Sequence, residues 1–114
     1  MFGRIIKILI VIGIIYGVMV GLKYWKTQLY LAKGFDLIGF YEQAEKFAFK
    51  AEKLFPKNEP EINKTLIYLT LARIYYDKYD WDRAAIQLKK ILELDPGNNE
   101  ASEMLKEVKK HLRH

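Results

Sequence analysis

The sequence predicts an all-α protein in which a hydrophobic N-terminal helix precedes two helix-turn-helix units and a final helix. Three observations support this prediction: an apolar run near the start, a similarity between residues 25–56 and 65–96 at an offset of 40, and an amphipathic stretch after Pro96. Apolar residues spaced by three and four positions are typical of helices. We expect the segments to be 1–22, 23–56, 57–96 and 97–114.

The first segment has the composition of a transmembrane helix. Ile5–Leu22 reads IIKILIVIGIIYGVMVGL and carries one charge, at Lys7. A helix of that length rises about 27 Å, close to the roughly 30 Å hydrocarbon thickness of a bilayer. Aromatic and basic residues follow at positions 23–26, as at a membrane interface. No small-x-small cleavage motif follows, so we expect a retained single-pass anchor in contact with membrane lipid.

The charge of the chain is concentrated in this first segment. Residues 1–26 carry four basic residues and no acid, whereas residues 27–114 carry 15 basic and 14 acidic residues. Nucleic-acid binding proteins concentrate cations on one face, so this balance disfavours nucleic acid as a partner. Basic residues lie on both sides of the apolar run, and the short basic start slightly favours an inside N-terminus with the remaining chain outside.

Glycine recurs every four residues in the apolar run, at Gly13, Gly17 and Gly21. Residues at this spacing share one stripe of a helix, and small residues there let a second membrane helix approach closely. The alternative is that glycine is simply common in membrane helices. We expect these three residues to contact another transmembrane helix, from either the same or a different kind of subunit.

The two units of the remaining chain match in residue type as well as in spacing. Each ends in proline, at Pro56 and Pro96, and no glycine or proline lies between Leu22 and Lys33. Because neither of these helix-breaking residues interrupts this stretch, we expect one continuous helix from the apolar run to about Gly34. The matched pairs are Leu31 with Leu71, Ala32 with Ala72, Phe35 with Tyr75, Tyr41 with Trp81, Ala44 with Ala84, Ala48 with Leu88, Ala51 with Ile91 and Leu54 with Leu94.

This pattern resembles the tetratricopeptide repeat (TPR), most closely in the second unit. The resemblance implies paired helices whose small residues lie where helices meet, and a concave groove, formed by the first helix of each repeat, that binds an extended peptide or a partner helix. The usual period is 34 residues, so about six near 57–62 are extra and are expected to lengthen the first helix of the second unit. Asn99–Arg113 is expected to be the capping helix.

Under this resemblance, one face of each first helix borders the groove. We expect the partner-binding residues to be Lys26, Tyr30, Lys33, Leu69, Arg73 and Tyr76, with Leu29, Asp36, Leu66, Thr70 and Asp77 on the same faces.

Lys33 and Arg73 occupy equivalent positions and are expected to stand over Tyr30 and Tyr76, which favours an acidic segment or a C-terminal carboxylate. The alternative is that both cations are ordinary solvated residues. Leu29 and Thr70 stand where the family's carboxylate clamp needs polar groups, so such a clamp is not expected.

Catalytic residue types are sparse. Ser102 is the one serine, the chain has no cysteine, and the histidines are His111 and His114, at an end expected to fray. Asp77, Asp80 and Asp82 lack the glycine and distal glutamate of an EF-hand, and Asp80 or Asp82 is expected to cap the helix that begins near Trp81. We therefore predict no enzyme activity, cofactor or metal.

The predicted function is that of a membrane-anchored protein-interaction module, an accessory or scaffold subunit of a membrane complex. The alternative is a structural subunit of a homo-oligomer or filament, with the hydrophobic helix as its packed core. Filament cores of the pilin kind usually carry an early acidic residue, and no acid precedes Asp36 here.

Overall fold

The computed structural model describes residues 2–21 and 24–113, with the backbone alone described at residue 2 and at residues 17–21. Helices and the turns between them account for these residues, so the described chain is all-α. The helices are α1 (Phe2–Gly21), α2 (Trp25–Leu37), α3 (Tyr41–Leu54), α4 (Lys64–Asp77), α5 (Trp81–Leu94) and α6 (Asn99–Leu112), and a short 3₁₀ turn (Glu61–Asn63) precedes α4.

The helices pack as two antiparallel pairs followed by a single helix. α2 packs against α3, and α4 packs against α5. α4 also contacts both helices of the first pair, and α6 packs on α5. Each helix that comes after a pair thus packs against that pair: α4 against the first pair and α6 against the second helix of the second pair.

Both pairs make the same turn between their helices. Gly39 (φ +84°) and Tyr79 (φ +63°) are left-handed, and the N–H of each donates to a carbonyl three residues earlier, at 3.1 Å in both turns. The N–H of the following residue donates to a carbonyl five residues earlier, at 2.9 and 2.8 Å. This is a Schellman motif, which ends a helix through one left-handed residue. α3 and α5 then begin 40 positions apart and have 14 residues each.

The continuous helix predicted through residues 22–34 is wrong. Tyr24 has extended backbone angles (φ −99°, ψ 134°), and α2 begins at Trp25 and runs to Leu37 rather than to about Gly34. The physical reason is tertiary. Trp25 is 5% exposed, and its ring centroid lies 5.1 Å from that of Phe55, so α2 starts where Trp25 can enter the core. Residues 22 and 23 lie outside the described residues.

The described side chains of α1 face solvent. Nine isoleucine, leucine and valine side chains between residues 5 and 15 are each 51–62% exposed. No helix within the described part of the chain is long and apolar enough to cross a membrane.

Alanines lie where the paired helices meet. Ala32, Ala44, Ala72 and Ala84 are each fully buried, as expected of small residues that lie where helices meet. Among the matched residues of the second unit, Leu71, Tyr75 and Leu88 are buried, whereas Trp81 is half-buried at the edge of the core. The largest fully buried side chains are Ile67, Leu71, Ile74, Leu88, Ile91 and Val108.

The six extra residues do not lengthen the first helix of the second unit. α4 has 14 residues and α2 has 13, and the chain from Phe55 to Asn63 forms a loop that ends in the 3₁₀ turn. Pro56 and Pro60 lack the backbone N–H that an interior helical position needs, which keeps this segment out of the helix.

The two units are joined by a polar contact at the edge of the core. The hydroxyl of Tyr75, on α4, donates to Glu45 Oε1 of α3 at 3.0 Å, and Lys78 Nζ lies 3.3 Å from Glu45 Oε2. Burial and the bond to Glu45 raise the pKa of the Tyr75 hydroxyl, so it remains a donor at neutral pH.

The last helix is ordered by caps and by ring contacts. Asn98 Oδ1 accepts from the backbone N–H of Ala101 at 3.0 Å, and α6 ends at Leu112. His111 does not fray as expected, because its ring stacks on Trp81 with centroids 3.9 Å apart and planes 5° apart. Gly97, in the loop between α5 and α6, does not adopt the left-handed conformation that often ends a helix at glycine.

The predicted cap of α5 is confirmed at Asp80. Its Oδ1 accepts from the backbone N–H of Arg83 at 3.3 Å. A side-chain acceptor at this position satisfies one of the free N–H groups of the first helical turn.

Candidate functional site

A cleft of about 270 Å³ lies between α2 and α4, the first helices of the two pairs. Apolar side chains form most of its wall, with charged groups around them. The structure brings three predicted site residues, Lys33, Leu69 and Arg73, to this one cleft. Its lining residues are Lys33, Asp36 and Leu37 from α2, and Leu66, Leu69, Thr70 and Arg73 from α4.

Three other predicted site residues lie outside the lining of the cleft. Lys26 and Tyr30 are exposed on α2, where Lys26 Nζ lies 5.7 Å from the Trp25 ring centroid and Lys33 Nζ lies 5.8 Å from the Tyr30 ring centroid. Tyr76 is half-buried and meets the Trp81 ring edge-on at 5.1 Å. Tyr76 therefore packs with Trp81 at the turn between α4 and α5 and not in the cleft.

Leu29 and Thr70, which were predicted to lie on the groove faces, are both buried. Leu29 is 5% exposed and belongs to the hydrophobic core, so its predicted place on the groove face is wrong. Thr70 lines the cleft but is 3% exposed, because its hydroxyl donates to the Leu66 carbonyl at 2.9 Å. That bond leaves the methyl group of Thr70 for the cleft wall.

Arg73 does not stand over Tyr76 as the sequence predicted. Its guanidinium forms an ion pair and hydrogen bond with Glu100 of α6. Both side chains are about half exposed, so the pair contributes only about 0–1 kcal/mol to stability. Its main effect is electrostatic, because Glu100 neutralises one of the two cations that were expected to attract an acidic partner.

Two carboxyl groups, those of Asp36 and Asp77, lie at the end of the cleft where α2 and α4 terminate. Asp36 is the second-last residue of α2, and Asp77 is the last residue of α4. Helix C-termini carry partial negative charge, so carboxylates there are unfavourable. Burial, a hydrogen bond to the Asp77 carboxyl and the negative charge of Asp77 raise the pKa of Asp36 to about 7, while Arg73 acts in the opposite direction.

The two carboxyl groups can hydrogen-bond to each other only while one of them holds a proton. The buried Oδ1 of Asp36 accepts no hydrogen bond from a donor within the described part of the chain. Sequence analysis placed Asp36 and Asp77 on the groove faces but missed their contact. It also missed Leu37 in the cleft and Glu100 beside it, since neither follows from the spacing of the repeats.

The predicted glycine contact stripe is described at one of its three positions. A Cβ atom added to Gly13 would meet nothing within 4 Å, so the described chain leaves this face of α1 open. The surroundings of Gly17 and Gly21 lie outside the described residues.

Metal-binding geometry does not occur among the residues that the structure describes, where no three histidine or acidic side chains come together. Comparison with protein-family models, with curated proteins and with solved structures found no match to the chain.

Proposed function

We propose that this chain is a membrane-anchored interaction module of the TPR kind: α1 anchors it, and the cleft between α2 and α4 binds a segment of a partner protein. The cleft is the observation on which the binding role rests. It is open, has a largely apolar wall, and lies between the first helices of two pairs whose turns repeat at an offset of 40 residues.

The anchor rests on composition and exposure. The apolar run predicted from Ile5 to Leu22 has the length of a bilayer's hydrocarbon core, and nine of its aliphatic side chains are more than half exposed. Contiguous exposed apolar surface marks a membrane or protein contact. Lipid around α1, and a second membrane helix along Gly13, Gly17 and Gly21, would cover this surface. We place the helical pairs on the outer side of the membrane, which protease digestion of sealed vesicles would test.

The groove is tested by a matched pair of substitutions. Leu66 is 44% exposed in the cleft, and Ile86 is 51% exposed on α5, outside that cleft. Leu66→Asp places a charge on the proposed binding surface, and Ile86→Asp places the same charge on a surface of similar exposure. Partners crosslinked to the full-length protein should be lost with Leu66→Asp and retained with Ile86→Asp. Equal recovery with both variants would refute the groove.

The membrane helix is tested separately. Gly17→Ile raises apolarity and should leave membrane insertion unchanged, but the bulky side chain should prevent close approach of a second helix. Ile14→Leu is the control. Extraction in mild detergent followed by size analysis should give a discrete complex with foreign subunits, which Gly17→Ile weakens. A polymer of this chain alone would instead support the structural-subunit alternative.

A further inference from the structure

The cleft between α2 and α4 is apolar in its middle and acidic at one end. Leu37, Leu66 and Leu69 supply apolar wall. Asp36 lies next to Leu37 in sequence and lines the same cleft, and the Asp77 carboxyl contacts Asp36. A ligand side chain that enters between the leucines is therefore brought close to two carboxyl groups.

The cations that line the same cleft, Lys33 and Arg73, do not form an ion pair with this acidic end. Within the described part of the chain, neither Asp36 nor Asp77 belongs to an ion pair. Arg73 interacts favourably with Asp36, but its guanidinium is bound by Glu100 of α6. Lys33, one helical turn before Asp36, extends over the Tyr30 ring. The C-terminal ends of α2 and α4 add partial negative charge at the same place.

The size of the cleft suits a side chain rather than a folded surface. A cavity of about 150 Å³ is enough for a benzene-sized group, and this cleft has about 270 Å³. It therefore has room for one leucine or phenylalanine side chain and the stem of a neighbour. In an extended segment, side chains two positions apart lie on the same side.

We propose that the groove binds a partner segment in which an apolar side chain, seated between Leu37, Leu66 and Leu69, is accompanied by a lysine or arginine whose cation is bound by Asp36 and Asp77. This inference rests on the groove of the proposed function and names the chemistry of its occupant. It replaces the acidic partner that the sequence predicts, because Glu100 neutralises Arg73, and because Asp36 lines the cleft with the Asp77 carboxyl beside it.

Proton release accompanies this binding. A bound cation favours the ionised form of both carboxyls, and burial together with Asp77 raises the pKa of Asp36 to about 7. The charged groups around Asp36 are Lys33 on α2, Arg73 and Asp77 on α4, and Glu100 on α6 through its pair with Arg73. Affinity for a basic segment should therefore rise as the pH increases through neutrality.

The test uses the full-length protein in detergent micelles and blocked heptapeptides that contain one leucine. Arginine, glutamine or glutamate is placed two residues from the leucine, on either side. We expect the arginine peptide to bind about tenfold more tightly than the glutamate peptide. Asp77→Asn, and independently Asp36→Asn, should remove most of this difference, and Leu66→Asp should weaken all three peptides.

Calorimetry at about pH 7 in buffers of different ionisation enthalpy should show proton release with the arginine peptide alone. Tightest binding of the glutamate peptide, or affinity independent of charge, would overturn the inference while leaving the proposed groove intact. Binding unaffected by Leu66→Asp would place the peptides elsewhere and would also overturn the inference. The interaction function itself is judged by the separate crosslinking experiment with the Leu66→Asp and Ile86→Asp variants.

Discussion

Enlarging the alanine at the start of α5 tests the helix packing that forms the cleft. Ala84 lies in the first turn of α5 and has no exposed surface. Leucine would add three carbon atoms where α5 packs on α4, and overpacking of this kind costs about 1–3 kcal/mol. For a domain of this size, each kcal/mol lowers the melting temperature by roughly 4–8 °C, so Ala84→Leu should melt roughly 4–24 °C below the wild type.

The assay is thermal unfolding in micelles followed by tryptophan fluorescence, because Trp25 and Trp81 both lie in the paired helices. Lys89→Leu adds leucine at an exposed position of the same helix and should change the melting temperature little. Ala44 is buried at the matching position of the first unit, so Ala44→Leu should have a cost similar to that of Ala84→Leu. If Ala84→Leu and Lys89→Leu melted at the same temperature, the assigned helix packing would be refuted.

Three further predictions concern stability. The pKa of Asp36 is raised to about 7, so between about pH 4 and 7 the folded chain holds a proton that the unfolded chain has released, and stability falls as the pH rises through this range. Asp36→Asn should therefore raise the melting temperature more at about pH 8 than at about pH 5. An equal rise at both pH values would contradict this. Gly39→Ala forces alanine to a φ of +84° and should cost about 1–2 kcal/mol in urea unfolding, whereas Gly97→Ala, with open space and no positive φ, should be neutral or slightly stabilising. His111→Ala removes the stack on Trp81 and should cost about 0.5–1.5 kcal/mol, which His111→Phe should largely restore in the same unfolding assay.

The helices and their pairing were predictable because local pattern determines them. The spacing of Ala84, Leu88 and Ile91, four and three positions apart, places them on one face of α5 and identifies its buried stripe. Asp80 marks the start of the same helix through a bond to a backbone N–H three residues later. Both signals lie within one or two helical turns, where sequence spacing fixes spatial distance.

The errors arose where contacts between distant residues decide the conformation. No glycine or proline marks a break at Tyr24, and the break serves a contact between Trp25 and Phe55, which are 30 positions apart. Tyr79 adopts the left-handed conformation that glycine adopts in the first unit, although nothing in its residue type indicates this. In each case tertiary packing outweighs the local preference.

The candidate site was predictable in location but not in charge. Repeat spacing placed Lys33 and Arg73 at one cleft, and the structure brings both there. The charge that a ligand meets depends instead on Glu100, which lies 27 positions after Arg73 and reaches it only because α6 packs on α5.

The capping helix therefore has two effects that come from the same packing. Ala101, Leu105 and Val108 cover the apolar side of α5 that would otherwise face solvent, as the end of a short helical array requires. The register that buries these residues also carries Glu100, on the first turn of α6, to the guanidinium of Arg73. The packing of α6 on α5 thus both closes the helical array and brings Glu100 to Arg73, one of the two cations that line the cleft. With Arg73 paired to Glu100, Lys33 and Asp36 are the lining charges that belong to no ion pair in the described part of the chain, so the helix that completes the fold also changes the charge of the proposed groove.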